Sequence, residues 1–361
     1  MDIAKIDKNF KLQTVDKPDV EWHELSEPEF SVHGIFYSEQ NEKYLRMPQD
    51  VADQVNEGVC YLNRLTAGGR IRFITDSPYI AINVVMENVG VANHMPMVNQ
   101  YGFSLYLNDK FYGILCASFP DVTHDKTKDI AYDRQLDLLN YGYKEDEIFN
   151  VSLFSPCYGG IKKIYIGLKK GCKLLAPPPY KHVKPVLFYG SSITQGGCAS
   201  RPGNDYVNLL SRKLDTEILN LGFSGSGRGE PLIADYISNI DASVFVMDYD
   251  YNAKDPEHLK ATHLPFYKTI RNKNPNTPIV MISRPNFGRL NDDNERREII
   301  RQTYEYAKIN GDDNVYFIDG ETLFNGDMRD ACTVDGVHPT DLGFYRIAKT
   351  IYPILDKLLN R

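Results

Sequence analysis

A chain of 361 residues is longer than a single hydrophobic core usually serves, so two domains are expected. With 42% hydrophobic and 25% charged residues, the composition is that of an ordinary globular protein. A net charge of −7 argues against nucleic acid or an anionic membrane as main partner, and no apolar run approaches the roughly 20 residues of a membrane span.

The amino terminus, MDIAKIDKNFKLQTVDKPDVEW, has no apolar core of signal-peptide type. As given, the chain reads as cytoplasmic; a secreted or periplasmic protein whose leader was removed reads the same way. The cysteines (Cys60, Cys116, Cys157, Cys172, Cys198, Cys332) form no C-x-x-C pair, so free and mostly buried thiols are expected rather than disulfides or a zinc site.

Residues 1–175 read as β. RIRFITDSPYIAINVVME alternates around a Ser-Pro turn, and GFSLYLNDKFYGIL is a hairpin turning at Asn108-Asp109. EIFNVSLFSPCYGGIKKIYIGL repeats the pattern, interrupted by Pro156 and Gly159-Gly160. Short strands punctuated by Gly, Pro and Asn predict an antiparallel, jelly-roll-like β-sandwich. Its aromatics, Trp22 among them, read as core filling, with sugar stacking as the alternative.

The stretch LLAPPPYKHVKP gives a proline-rich linker at 176–185, since successive prolines suit an extended spacer. From 186 to 361 the period changes. VLFYG, TEILNLGF, SVFVMDYD, TPIVMIS and NVYFIDG are buried-strand runs, and PEHLKATHLPFYKTIRNKN and ERREIIRQTYEYAKING are helical. This alternation predicts a parallel sheet covered by helices on both faces. Asp255-Pro256 is a helix start. In the helix that follows, His263 keeps helical spacing with Leu259, Phe266 and Ile270 and reads as core; His258 reads as solvated.

In such sheets ligands bind beyond the carboxyl ends of the strands, and four stretches there carry chemistry. Gly190-Ser191-Ser192 ends the first strand, offering either a nucleophile or a helix cap. NLGFSGSGRGE ends the second; Gly225 N–H would suit an oxyanion, a flexible turn being the plainer reading. DYDYNA ends the third, where Asn252 offers an amide or a turn residue. CTVDGVHPTDLGF follows the last, with Asp335 placed to accept His338 Nδ1–H and leave Nε2 as a base. The same pair would serve as two metal ligands, but no third stands out, so neither metal nor cofactor is expected. Arg201, Glu230 and Arg284 lie near these strand ends as candidate substrate contacts; an Arg201–Glu230 pair across the rim and a structural ion pair for Arg284 are the alternatives.

Taken in order, these motifs resemble the blocks of the SGNH, or GDSL, hydrolase superfamily. YGSSITQG resembles the first block, GFSG the second, DYDYNA more loosely the third and DGVHP the last. The resemblance implies Ser192 as nucleophile, Ser192 N–H, Gly225 and Asn252 as oxyanion donors, and Asp335 and His338 as acid–base pair. Ser191 stands where the motif has its aspartate and would support the loop through its hydroxyl. ITQGGCASRPG, GSGRGEP and DGVHPTDLGF resemble a bacterial branch carrying an N-terminal β-sandwich, and YGFSLYLND resembles a Gly-x-x-Leu-Tyr signature of that sandwich.

That branch includes carbohydrate acetyl esterases. The fold expected is thus an α/β/α SGNH domain behind a β-sandwich, and the activity a Ser-His-Asp esterase acting on short acyl, above all acetyl, groups of carbohydrates. Lysophospholipase or thioesterase activity, and carbohydrate binding without catalysis, are the competing readings. The partner expected is an acylated carbohydrate or other small ester, with no nucleic acid and no membrane; a homo-oligomer is compatible with the sequence.

Overall fold

Val186 and Phe188 pack into one apolar core, Leu187 and Tyr189 into another, the period-two pattern of a strand covered on both faces. The computed structural model describes residues 5–7, 10–119, 121–122, 125–138, 143–144, 147–285 and 290–361. The strand holding these four residues is central to a parallel sheet ordered β14 (Thr216–Gly222), β13 (His182–Gly190), β15 (Val244–Asp248), β16 (Ile279–Ile282) and β17 (Val315–Ile318). With β13 first in chain order, the sequence of neighbours is 2-1-3-4-5, a doubly wound sheet whose switch point lies beside β13.

One face is covered by α6 (Pro231–Ser238), α7 (Pro256–Lys273) and α8 (Asp293–Ile309). The other carries α5 (Tyr206–Leu214) and α9 (Asp341–Leu359). Asp255 caps α7 by accepting from His258 N at 2.8 Å, with Pro256 at the first helical position. His263 is buried, and its Nδ1 meets Thr303 Oγ1 at 2.9 Å; burial pulls its imidazole down to about 3. His258 is half-buried, with Nε2 2.9 Å from Arg228 O.

The N-terminal part is two antiparallel sheets. One holds β1 (Val20–Glu24), β11 (Gly160–Lys169), β6 (Tyr79–Glu87) and β9 (Ile130–Asp137). The other holds β12 (Leu174–Leu175), β5 (Arg70–Thr75), β10 (Phe149–Phe154), β7 (Gly102–Leu107) and β8 (Lys110–Cys116), with β2 (Ser31–His33) against β5. A small hairpin, β3 (Phe36–Ser38) and β4 (Lys43–Leu45), stands apart. Asn108 and Asp109 both have positive φ and turn β7 into β8, as expected. The Ser77-Pro78 turn, by contrast, carries the chain from one sheet to the other, so the strands flanking it face each other across the core.

Three expectations change. Trp22 is 38% exposed on the outer β1, its ring against Gly167, rather than in the core; Tyr44, Tyr79, Tyr101, Tyr106 and Tyr132 are buried there. The linker is shorter than 176–185, because β13 starts at His182 and absorbs Pro185 through a register shift before Val186. And the core of the second domain does not begin at 186. Helices α1 (Gln49–Val55) and α2 (Glu57–Leu62) place Ala52, Val59 and Leu62 in the same cluster as Leu187, Phe223, Ile233 and Ile237.

Arg46 fixes that attachment. Its buried guanidinium donates to the carbonyls of Gly222 at 2.5 Å, Leu62 at 2.6 Å and Asn220 at 3.1 Å, and lies 4.4 Å from the Phe223 ring centre. Nearby, Arg70 pairs with Glu217 at 2.5 Å. The thiols of Cys60, Cys116, Cys157, Cys198 and Cys332 are free; Cys60 is half-buried and the other four are buried.

Candidate active site

At the end of β13 the chain has room only for a glycine. A Cβ on Gly190 would lie 2.0 Å from Thr194 Oγ1 and 2.4 Å from Asp248 O. The next residue, Ser191, accepts from Ile193 N at 3.2 Å and caps the one-turn helix α4 (Ser192–Gln195). Capping is therefore the work of Ser191, which leaves the Ser192 hydroxyl for other partners.

Ser192 Oγ lies 2.9 Å from His338 Nε2, and His338 Nδ1 lies 2.7 Å from Asp335 Oδ2. Asp335 Oδ1 accepts the backbone N–H groups of His338 at 2.8 Å and Val337 at 2.9 Å. Partial burial works against ionisation of Asp335, but the His338 side chain and these two N–H groups hold the carboxyl well below the usual carboxylate range. With a carboxylate at Nδ1, the imidazole carries its proton there, and Nε2 accepts from the serine hydroxyl. The three residues predicted as a set are brought together in one hydrogen-bonded chain.

Gly225 has φ +65°, and open space surrounds the position its Cβ would take. Among the described residues no hydrogen bond takes up its N–H, while Ser226 N and Gly227 N both close the turn onto Phe223 O. Asn252 differs from expectation. Its Nδ2 donates to Phe223 O at 2.8 Å and Gly227 O at 3.0 Å, so both amide protons brace the turn that presents Gly225 rather than standing free for an oxyanion.

The three candidate substrate contacts are also held elsewhere. Arg201 donates to Tyr106 OH at 2.7 Å and lies 3.6 Å from the centre of the Phe111 ring. Glu230 accepts from Tyr189 OH at 2.7 Å and Asn56 Nδ2 at 2.8 Å, so no Arg201–Glu230 pair forms. Arg284 is buried and forms a structural ion pair with half-buried Asp292 and buried Asp293.

What sequence reasoning misses comes largely from the sandwich. In the loop before α3 (Met97–Tyr101), His94 brings Nε2 to 3.7 Å from Asp335 Oδ2, with its ring centre 5.7 Å from that of His338. Asn99 Nδ2 donates to Gly196 O at 2.9 Å, and Tyr158 OH to Ser192 O at 3.4 Å. Beside them Cys198 adopts φ +71°, and burial, with the charge of Asp335 adding to it, pushes its thiol up to about 11. Behind the serine, buried Asp248 accepts from Tyr206 OH at 2.8 Å and Thr194 Oγ1 at 2.9 Å. Nothing local in the sequence links residues near 94 and 158 to a site near 192; only the packing of the domains does.

Residues 183–356 match the model of the GDSL-like lipase/acylhydrolase family, and residues 20–174 match that of the N-terminus of SGNH-hydrolase-type esterases. No curated protein matches by sequence. Among solved structures, a putative GDSL-like lipase from Bacteroides ovatus is similar with a TM-score of 0.80 at 27% identity, over 94% of this chain and 98% of that one. A salicylyl-acyltransferase from a tetracycline biosynthetic pathway follows with a TM-score of 0.73 at 17% identity, over 95% and 98%. A family two carbohydrate esterase from Clostridium thermocellum, in complex with cellohexaose, has a TM-score of 0.60 at 14% identity, over 92% and 99%. The last two share the two-domain fold.

Proposed function

The C-terminal domain belongs to the GDSL-like lipase/acylhydrolase family, and from that premise we propose that the protein is a serine esterase removing short acyl groups, acetyl foremost, from carbohydrate hydroxyls. The observation that carries this reading is the unbroken chain from Ser192 through His338 to Asp335, at 2.9 and 2.7 Å.

In this reading Ser192 Oγ attacks the acyl carbonyl as His338 Nε2 takes its proton, and Asp335 stabilises the imidazolium. The charge forming on the carbonyl oxygen falls to the N–H groups of Ser192 and Gly225. Collapse breaks the bond to the sugar oxygen, which leaves with the proton from His338. Water, deprotonated by the same imidazole, then releases the acid and restores the serine. Asn252 serves at one remove, by holding the Gly225 turn.

Support for a carbohydrate substrate comes from the shared two-domain architecture of the carbohydrate esterases, and from a sandwich domain that reaches the triad through His94 and Tyr158. The test is hydrolysis of p-nitrophenyl acetate, butyrate and octanoate by wild type and Ser192→Ala, followed by acetate release from acetylated oligosaccharides. A steep fall beyond acetate, with no turnover in the variant, is expected. Preference for octanoate would move the substrate to lipids, and unchanged turnover in Ser192→Ala would sink the assignment.

A further inference from the structure

We propose that His94, Cys198 and His338 form a binding site for a borderline-soft divalent cation, Zn²⁺ foremost, whose occupancy switches Ser192 off. One ligand atom from each of these residues, an imidazole nitrogen, a thiol sulfur and a second imidazole nitrogen, lies within 4.8 Å of the others. A tetrahedral zinc with bonds of about 2.0 Å to nitrogen and 2.3 Å to sulfur spaces its ligands about 3.5 Å apart. The three groups therefore need to close by roughly an ångström, within the reach of side-chain rotation for a half-exposed His94. Two nitrogens and one sulfur select zinc or copper over magnesium and calcium, and a fourth position is left for water.

Two further observations fit. Cys198 holds a left-handed backbone conformation that non-glycine residues rarely adopt, and acyl transfer has no use for its thiol. Asp335 stands 3.7 Å from His94 Nε2, placed to orient that imidazole as a neighbouring carboxylate does around bound metals. On binding, the sulfur gives its proton to solvent and no electron changes hands.

His338 spends Nε2 on Ser192 and Nδ1 on Asp335. A cation taking either nitrogen breaks one of these bonds and removes the base. Because His94 belongs to the sandwich and Cys198 and His338 to the second domain, the ion also joins the two. Inhibition rests on the role proposed for Ser192 and His338; binding of the cation does not.

The experiment titrates the full metal-stripped chain with Zn²⁺ by calorimetry and with Co²⁺ by absorption, following the thiolate-to-cobalt charge-transfer band. One equivalent should bind with a Kd below about 10 µM. His94→Ala and Cys198→Ser should each weaken binding by at least about tenfold, and Cys198→Ser should abolish the band. Fluorophosphonate labelling of Ser192 should slow in proportion to zinc occupancy and recover with EDTA. No binding to wild type at 100-fold higher concentration, or wild-type affinity in both variants, would overturn the site. Binding that obeys the variants but leaves labelling unchanged would overturn the switch. A metal-free protein that binds zinc as expected yet hydrolyses no ester would keep the site and remove the esterase reading.

Discussion

His94 Nε2 lies 3.7 Å from Asp335 Oδ2, so a sandwich residue stands beside the carboxylate that holds His338. The distance is long and both side chains are over a third exposed, which limits what the contact can contribute. Metal-free His94→Ala should keep kcat on an acetyl ester within about tenfold, whereas His338→Ala should lose about 10⁴-fold or more. Steady-state kinetics on EDTA-treated enzyme decides; equal losses would place His94 inside the proton relay.

Asp335 is held well below the usual carboxylate range, so it stays ionised down to at least about pH 4. This carboxylate should then add no proton to the acid limb of kcat/KM above about pH 4. Because the folded value is depressed, the stabilisation from this carboxylate is fully present above about pH 4 and is lost as pH falls through the folded value. Asp335→Asn should lower kcat by about 10³–10⁴-fold. A pH–rate profile of wild type with slope two near neutrality would contradict the assignment.

Gly225 and Asn252 can be separated by the kind of damage each substitution does. Alanine at 225 meets open space and keeps the N–H, costing only the strain of φ +65°, so activity should stay within about tenfold. Asn252→Asp replaces two donors by an acceptor facing the carbonyls of Phe223 and Gly227. Its kcat should drop by about 10²-fold or more with little change in KM. A larger loss in Gly225→Ala than in Asn252→Asp would reverse this account.

Burial, partly offset by the hydroxyls of Tyr206 and Thr194, pushes the Asp248 carboxyl up to about 7. From about pH 4 to about pH 7 the folded protein keeps a proton that the unfolded chain has lost, so rising pH costs stability over that interval. Both hydroxyls bond to one carboxylate oxygen, which the amide oxygen of Asn can replace. The stability of Asp248→Asn relative to wild type should therefore climb between pH 4 and 7, by at most roughly 1.4 kcal/mol per pH unit, and level off outside it. Urea melts at several pH values measure this; a constant difference would mean that Asp248 is ionised throughout.

Arg46→Met should lower stability by about 3 kcal/mol or more, because the carbonyls of Leu62, Asn220 and Gly222 lose a charged donor in a buried site. Gly222 leads into the Gly225 turn, so turnover should fall as well. Melting temperature and kcat together test this, and a stable variant with unchanged kcat would show that Arg46 does not brace the site.

The sequence made the parallel sheet legible because its strands, Val186–Tyr189 for example, are apolar on both faces and separated by long helical runs. Asp335 and His338 were legible for a different reason: three residues apart, they form one local turn. The hidden parts are those whose meaning depends on distant partners. Helices α1 and α2 are too short to show a period, and their apolar residues look like sandwich core until α6 is seen against them. For Arg284 the sequence offered both a substrate contact and a structural ion pair, but its partners, Asp292 and Asp293, could not be picked out among the other carboxylates of that stretch. Asn252 showed its position but not its use, since an amide donates equally well to an oxyanion or to a neighbouring carbonyl.

The packing of α1 against α6, with α2 in the same core, also sets an order for biosynthesis. These two helices leave the ribosome long before Pro231–Ser238 has been made, and at about 5–20 residues per second the wait is roughly ten to thirty seconds. Through that interval Ala52, Val59 and Leu62 lack the part of their native cover that Ile233, Ala234 and Ile237 supply. The nascent amino-terminal half thus exposes apolar surface that the finished chain buries, and cutting the gene at the proline-rich segment would leave each half with an apolar scar.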